Sequence, residues 1–211
     1  TADSRTVQEG SLFICLVGAT VDAHNFVEKA VEDGAVAIIA SKPVTVPEHV
    51  AVLYVDDTRQ ALQDAVPFFY DYPASKMRMI GVTGTNGKTT TVNLIHKILN
   101  DNVAPTVAVS TADLRIGSKR ITNTKKMTSL DVFDLQSLLS TAKNNGCKVA
   151  VLEASSQGLD QQRFAGIDFD MAVLTNITHD HLDYHGTIEA YAESKKLLFK
   201  NVLSNTKQNK F

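Results

Sequence analysis

The run Gly81-Val82-Thr83-Gly84-Thr85-Asn86-Gly87-Lys88-Thr89-Thr90-Thr91 constrains the fold more than any other stretch of the chain. It lies between an apolar segment of strand character, Met77 to Val82, and a segment of helical spacing, Val92 to Leu99. A glycine-rich turn from strand to helix aims several backbone N–H groups at one point, where the helix N-terminus adds partial positive charge. Lys88 supplies a cation for β- and γ-phosphates, and a threonine hydroxyl can ligate the accompanying Mg²⁺. The pattern therefore predicts a nucleoside-triphosphate cradle. It departs from G-x-x-x-x-G-K-[ST] at Val82, where a glycine is expected. The competing reading, a glycine-rich turn without a ligand, is weakened by the strand–turn–helix context.

Around this run the sequence alternates strand and helix signals. Apolar runs at Leu12 to Val17, Ala35 to Ala40 and Val50 to Val55 read as strands, with a short helix at Asn25 to Glu32. Helical spacing follows from Asp57 to Tyr70, with Asp56 or Asp57 as N-cap, and Asp71 to Ser75 reads as a linker because Pro73 disfavours helix through Tyr72. Beyond the glycine-rich run come a strand at Thr106 to Val109, a hairpin over Leu114 to Thr122 and a helix from Asp131 to Lys143. Asn145-Gly146 then ends that helix before strands at Lys148 to Glu153 and Met171 to Leu174 and a last helix from Ile188 to Val202. The expected fold is α/β: a small N-terminal αβ domain over residues 1–74 and a mostly parallel sheet domain over 75–211 carrying the P-loop. Ligands of such sheets collect at the carboxyl ends of the strands, where the P-loop, Glu153 and the loop from Thr175 to His185 all fall.

Bulk properties narrow the classes. Apolar residues make up 44% of the 211, enough for a substantial core and against disorder. A net charge of −2 with dispersed lysines gives no nucleic-acid footprint. No apolar run reaches the roughly 18–20 residues needed to span a bilayer, and no signal peptide is visible, so a cytoplasmic protein without membrane or nucleic-acid partners is expected. Cys15 and Cys147 look like core residues within apolar strands. The chain opens without Met and closes in a polar tail, Ser204 to Phe211, which reads as a fragment with an incomplete sheet domain.

Two further groups carry chemistry. Glu153 closes an apolar strand, the position from which P-loop proteins hold Mg²⁺; an ordinary exposed strand-end acid is the alternative. Asn176 to Gly186 holds three of the six histidines and approaches the T-H-x-H-x-D-H pattern of dinuclear zinc hydrolases through His179, His181 and Asp183. That pattern needs histidine where Tyr184 stands, so a zinc centre is disfavoured. Lys195 and Lys196, adjacent on an amphipathic helix, read from physics alone as a solvated face.

Taken together, these motifs resemble the Mur ligases of peptidoglycan synthesis, and most closely the MurE branch, which adds the third amino acid to UDP-N-acetylmuramoyl-L-alanyl-D-glutamate. Thr83 to Thr90 is similar to that family's own P-loop, which accommodates Val82. Asp3-Ser4-Arg5 with Gly10 to Phe13 resembles its uridine-binding N-terminal domain, and Glu153 to Leu159 resembles E-V-S-S-H-G-L. Asn176 to Gly186 resembles N-L-T-R-D-H-L-D-Y-H-G, and Tyr191 to Phe199 resembles Y-x-x-A-K-x-x-L-F. The resemblance implies an ATP-dependent ligase working through an acyl phosphate. Gly84, Thr85, Asn86, Gly87, Lys88, Thr89 and Thr90 would hold ATP, with Lys88 catalytic. Thr89, Glu153, His181 and a carbamylated, catalytic Lys195 would hold Mg²⁺, which reverses the solvated-face reading. Ser4 would contact uridine, and Thr128, Ser129, Ser155, Gln161 and Arg163 the UDP-muramoyl dipeptide. The implied partners are that dipeptide and an amino acid, the implied state a monomer, and the amino-acid-selecting C-terminal domain of the family has no counterpart here. Departures at Met127, Thr128 to Asp131 and Gln157 surround the sugar-nucleotide residues. Two other readings stand beside this one: a nucleotide- and UDP-sugar-binding module without turnover, and another Mur or folylpolyglutamate synthetase-type ligase. A P-loop kinase or GTPase is disfavoured because no N-K-x-D-type guanine motif is present.

Overall fold

A computed structural model describes residues 1–18, 21–123 and 127–205; from residue 206 the expected polar tail lies outside the described residues. The chain forms two compact units, Thr1–Ala65 and from Val66 onward, dividing inside a helix rather than at the expected position 74.

The first unit is a three-stranded parallel sheet, order β1-β2-β3, made of β1 (Ser11–Ile14), β2 (Ala35–Ala40) and β3 (Ala51–Tyr54). Helix α1 (Val27–Glu32) forms the crossover from β1 to β2. The expected helix from Asn25 begins instead as a 3-10 turn, Ala23–Phe26, capped by the Asp22 carboxylate on the His24 N–H. Phe13, Cys15, Val27, Ala30, Ile38 and Val50 form the core. Helix α2 (Thr58–Phe69) starts at Asp57, whose carboxylate accepts the Arg59 and Gln60 N–H groups at 2.8 and 3.2 Å. Pro67 lacks the N–H that would extend the ladder, and the helix stops two residues later. The expected linker is a left-handed Asp71-Tyr72 pair followed by a 3-10 turn, Pro73–Lys76.

The second unit is built on a six-stranded sheet of order β7-β6-β5-β8-β4-β9. Strands β4 (Arg78–Thr83), β5 (Thr106–Val109), β8 (Val149–Glu153) and β9 (Met171–Leu174) run parallel. β6 (Asp113–Ile116) and β7 (Lys119–Thr122) form the expected antiparallel hairpin at one edge. The alternating residues of the central strands enter two cores. Met79, Val107, Val109, Ala150 and Leu152 face α4 (Val132–Asn144) and α7 (Ile188–Ser204), through Leu135, Leu139 and Leu198. Ile80, Val82, Ala108, Val149 and Val151 face α3 (Lys88–Asn102) through Val92. Burial on both faces explains why these strands read as continuous apolar runs. Two short helices, α5 (Ser156–Asp160) and α6 (Leu182–His185), escape sequence reading because one turn carries no periodicity. Cys15 and Cys147 are buried as expected, though each lies one or two residues outside its strand.

Gly81 in β4 makes room for α7. A Cβ there would lie 2.5 Å from Leu198 Cδ1 and 3.0 Å from Phe169 Cε1. Leu198 is fully buried and cannot swing away. Gly81→Ala should therefore destabilise the fold by about 1–3 kcal/mol, read as a lower midpoint in urea with an unchanged m value.

Candidate nucleotide-binding site

The turn between β4 and α3 is held by backbone geometry that only glycine adopts readily. Gly84 has φ +143° and Gly87, the N-cap of α3, φ +84°. The loop after β9 lies directly on this turn. Thr175 Oγ1 donates to Asn86 O at 2.7 Å, and the Asn176 side chain exchanges hydrogen bonds with Asn86 N and O at 3.1 and 3.0 Å. Thr85 N–H donates to Asn176 O, and the Thr85 hydroxyl accepts from Thr178 N–H at 3.0 Å beside the Tyr191 hydroxyl at 3.1 Å. The β9 loop and α7 thus clamp the P-loop from one side. Thr175, Asn176 and Tyr191, to which the sequence reading gave no role, are parts of this clamp.

Both lysines meet at the turn. Lys88 Nζ donates to Gly84 O at 3.0 Å and Thr85 O at 2.9 Å, while Lys195 Nζ donates to Gly84 O at 2.9 Å. Lys195 is 2% exposed, with its ammonium 4.2 Å from the Tyr191 ring centroid. Burial, and then the Lys88 charge, lower its pKa to about 8. Lys195 is therefore part of the interior; its neighbour Lys196 is exposed and pairs with Glu193.

Strand parity sets Glu153 on the same face as Val149 and Val151, the side of α3. It is 2% exposed, which excludes the ordinary exposed acid. Its carboxylate accepts from Thr89 Oγ1 at 3.0 and 3.2 Å, from Thr111 N–H at 2.8 Å and from Thr111 Oγ1 at 3.2 Å. Thr111 is a site residue that the sequence reading missed; it follows the carboxyl end of β5, the one signal that pointed to it.

The expected acceptor residues gather around the same strand end. Ser129 Oγ donates to Glu153 O at 3.1 Å and lies 3.0 Å from Ser155 Oγ, and Thr128 Oγ1 lies 3.0 Å from Thr111 Oγ1. Ser155 caps α5 by accepting the Gly158 N–H. Arg163 donates to Ser129 O at 2.8 Å and, through a fork, to Gln161 Oε1 at 3.0 and 2.7 Å. Ser4 belongs to the other unit, where it opens a 3-10 turn capped by Asp3. Thr90 is exposed in the first turn of α3. His181 stands in the left-handed conformation at the start of α6, half-exposed, with its ring 3.7 Å from Asp180. Its neighbour His185 uses both ring nitrogens, on Ser156 Oγ at 3.0 Å and Ser194 Oγ at 3.3 Å.

Oxygen donors from Thr89 and Glu153, side by side at the end of the P-loop, fit Mg²⁺, which takes one or two carboxylates and completes its shell with phosphates and water. Among the described residues no three His, Cys, Asp or Glu side chains form a metal cluster.

A P-loop at a strand-to-helix turn of a parallel sheet, with a buried acid on the adjacent strand, defines a P-loop nucleotide-binding α/β protein. The chain belongs to the Mur ligase family: the Mur ligase middle domain matches residues 82–208, and the Mur ligase family catalytic domain matches residues 1–70. It is 44% identical over 201 residues to a UDP-N-acetylmuramyl-tripeptide synthetase 2 of Oceanobacillus iheyensis, covering 95% of this chain and 41% of that one. It is 42% identical over 209 residues to a UDP-N-acetylmuramoyl-L-alanyl-D-glutamate–2,6-diaminopimelate ligase of Bacillus cereus, covering 99% and 42%. A solved ligase of the latter name superposes with a TM-score of 0.79 at 35% identity, over 94% of this chain and 40% of that one. MurF of Thermotoga maritima in complex with ADP superposes with a TM-score of 0.68 at 27% identity, over 97% and 43%. The chain spans about two fifths of the length of these relatives. No helix among the described residues is long and apolar enough to cross a membrane.

Proposed function

We propose that this chain supplies the ATP and acceptor sites of a cytoplasmic, monomeric ligase that adds the third amino acid to UDP-N-acetylmuramoyl-L-alanyl-D-glutamate. The observation that carries this reading is the double role of Glu153: its carboxylate meets Thr89 of the P-loop, while its backbone carbonyl holds Ser129 of the acceptor group. The two sites share one residue, as a reaction between their ligands requires.

In the first step the acceptor carboxylate attacks the γ-phosphorus of ATP, the bond to the β-bridging oxygen breaks, and ADP leaves an acyl phosphate. In the second, an amine attacks the acyl carbon, loses its proton, and expels phosphate to form the amide. The first step brings anions together, so fixed positive charge aimed at the transferred group lowers the barrier most. Lys88 and the N–H groups at the start of α3, residues 87–90, provide it, while the β9 loop takes the Thr85 and Asn86 N–H groups and so holds the turn in place. Mg²⁺, held by Thr89 and Glu153 with His181 and Lys195 as further ligands, would neutralise phosphate charge. Arg163 and Gln161 orient the acceptor from the far side of Ser129. A Lys195 amine near pKa 8 is substantially neutral at weakly alkaline pH and can form an N–C bond to CO₂ while releasing one N–H proton to solvent, giving a carbamate whose negative charge suits a metal-facing position.

The test is ADP release by the natural polypeptide given ATP, UDP-muramoyl dipeptide and an amino acid. Release that requires both the dipeptide and an amino acid supports the ligase. Binding of ATP and dipeptide without ADP release would leave a binding module, and ADP release indifferent to the dipeptide would point to a different acceptor.

A further inference from the structure

Thr111 carries one hydroxyl proton and faces two acceptors, Glu153 and Thr128, that belong to the two candidate sites. Its Oγ1 lies 3.2 Å from Glu153 Oε2 and 3.0 Å from Thr128 Oγ1. On the first side the path continues through Glu153 to Thr89 and the P-loop. On the second it enters the acceptor segment at Thr128 and Ser129. We propose that Thr111 couples the nucleotide site to the acceptor site by committing its proton to one side or the other, an inference that rests on the ligase reading of both sites.

The turn that carries Thr111 is built to be rigid. Ser110 is fully buried, donates to Asp113 O at 2.9 Å and accepts the Asp113 N–H at 3.1 Å. Asp113, 1% exposed, pairs with Arg115 on its own strand at 3.1 Å and with Arg120 across the β6–β7 hairpin at 2.6 Å. Asn123 Nδ2 donates to both Ser110 O and Met127 O at 2.9 Å, so the residue before Thr128 hangs from the same frame as Thr111. The Thr111 N–H is already committed to Glu153 Oε2 at 2.8 Å. With the backbone fixed on both sides, the hydroxyl rotor is the freedom that remains.

A ligand that draws on the Glu153 carboxylate through Thr89 makes that oxygen a poorer acceptor and turns the Thr111 proton toward Thr128. Thr128 then has its own proton free to donate to the acceptor ligand. Linkage makes the effect reciprocal: whatever the nucleotide does to dipeptide affinity, the dipeptide does to nucleotide affinity. A hydrogen bond of this kind corresponds to a change of about two- to tenfold.

The experiment titrates a fluorescent, non-hydrolysable ATP analogue into the natural polypeptide with and without saturating UDP-muramoyl dipeptide. In the wild type and in Thr111→Ser, which keeps the hydroxyl, the two Kd values should differ by about fivefold. In Thr111→Val, which keeps the N–H bond to Glu153 and the side-chain shape, they should converge. Thr128→Val approaches the same link from its other end and should abolish the difference too, with no further change in the double variant. The inference is overturned if Thr111→Val keeps the wild-type difference, or if the wild type binds both ligands independently. A wild type that binds neither ligand would remove the ligase reading itself, and the coupling with it.

Discussion

Gly84→Ala is expected to weaken nucleotide binding by about 100-fold or more. At φ +143° a side chain carries backbone strain of about 1–3 kcal/mol before any contact is considered. The new Cβ would also lie 1.9 Å from Thr175 Oγ1 and 3.0 Å from Asn176 O, both parts of the clamp that holds the P-loop. Relief requires the turn or the β9 loop to move, and either movement turns N–H groups away from the phosphates. Gly146→Ala serves as the control. It has φ +82° with nothing within 4 Å of its Cβ, so it carries strain without a clash and lies at the end of α4, away from the site. Titration of both variants with an ATP analogue, alongside thermal unfolding, separates the effects: the two should lose stability, and only Gly84→Ala should lose binding. Equal affinities would mean that the close approach of Thr175 does not shape the phosphate cradle.

Lys195→Ala should reduce ligation by roughly 10²–10³-fold, the scale on which removal of one preorganised group at a developing charge is felt. Partial recovery with short carboxylates would support a carbamate at this position; full activity without them would end the proposed role. A second readout follows from burial alone. The folded amine releases its proton near pH 8, whereas an unfolded lysine keeps it to about 10.5. Between these values the unfolded state binds more protons, so stability contributed by this group rises with pH, by up to about 3 kcal/mol. It is at its lowest below pH 8, where the folded protein must hold a buried ammonium. Lys195→Met removes the group that titrates, so its unfolding midpoint should lack the rise that the wild type shows between pH 8 and 10. Parallel curves for the two proteins would show that the amine is solvated.

The sequence was most legible where one residue type has one physical use. Glycines in a strand-to-helix turn, a lysine after them and an acid at the end of an apolar run all carry their meaning locally. Strands of the central sheet were found because both of their faces are buried, which leaves uninterrupted apolar runs such as Val149 to Leu152. Helix limits were right to a few residues where a cap marks them, as at Asp57 and at Gly146. The one-turn helices α5 and α6 had no such mark, whereas α2 ends within one residue of the expected Tyr70.

Lys195 shows the limit most clearly. On a helix in isolation it is indistinguishable from Lys196, and periodicity assigns both to solvent. Packing of α7 against β4, permitted by Gly81, carries Lys195 to the carbonyl of Gly84, 111 residues away along the chain, and leaves Lys196 outside. Thr111 is similar: its place after the carboxyl end of β5 is the one local signal, and it gains a role because β8 lies between β4 and β5 and delivers Glu153 beside it. Local chemistry thus settles which groups can cradle a phosphate, because turn geometry and helix polarity arise within a few residues. Which distant side chains complete that cradle depends on strand order and helix packing, since those alone bring separate parts of the chain within hydrogen-bonding distance.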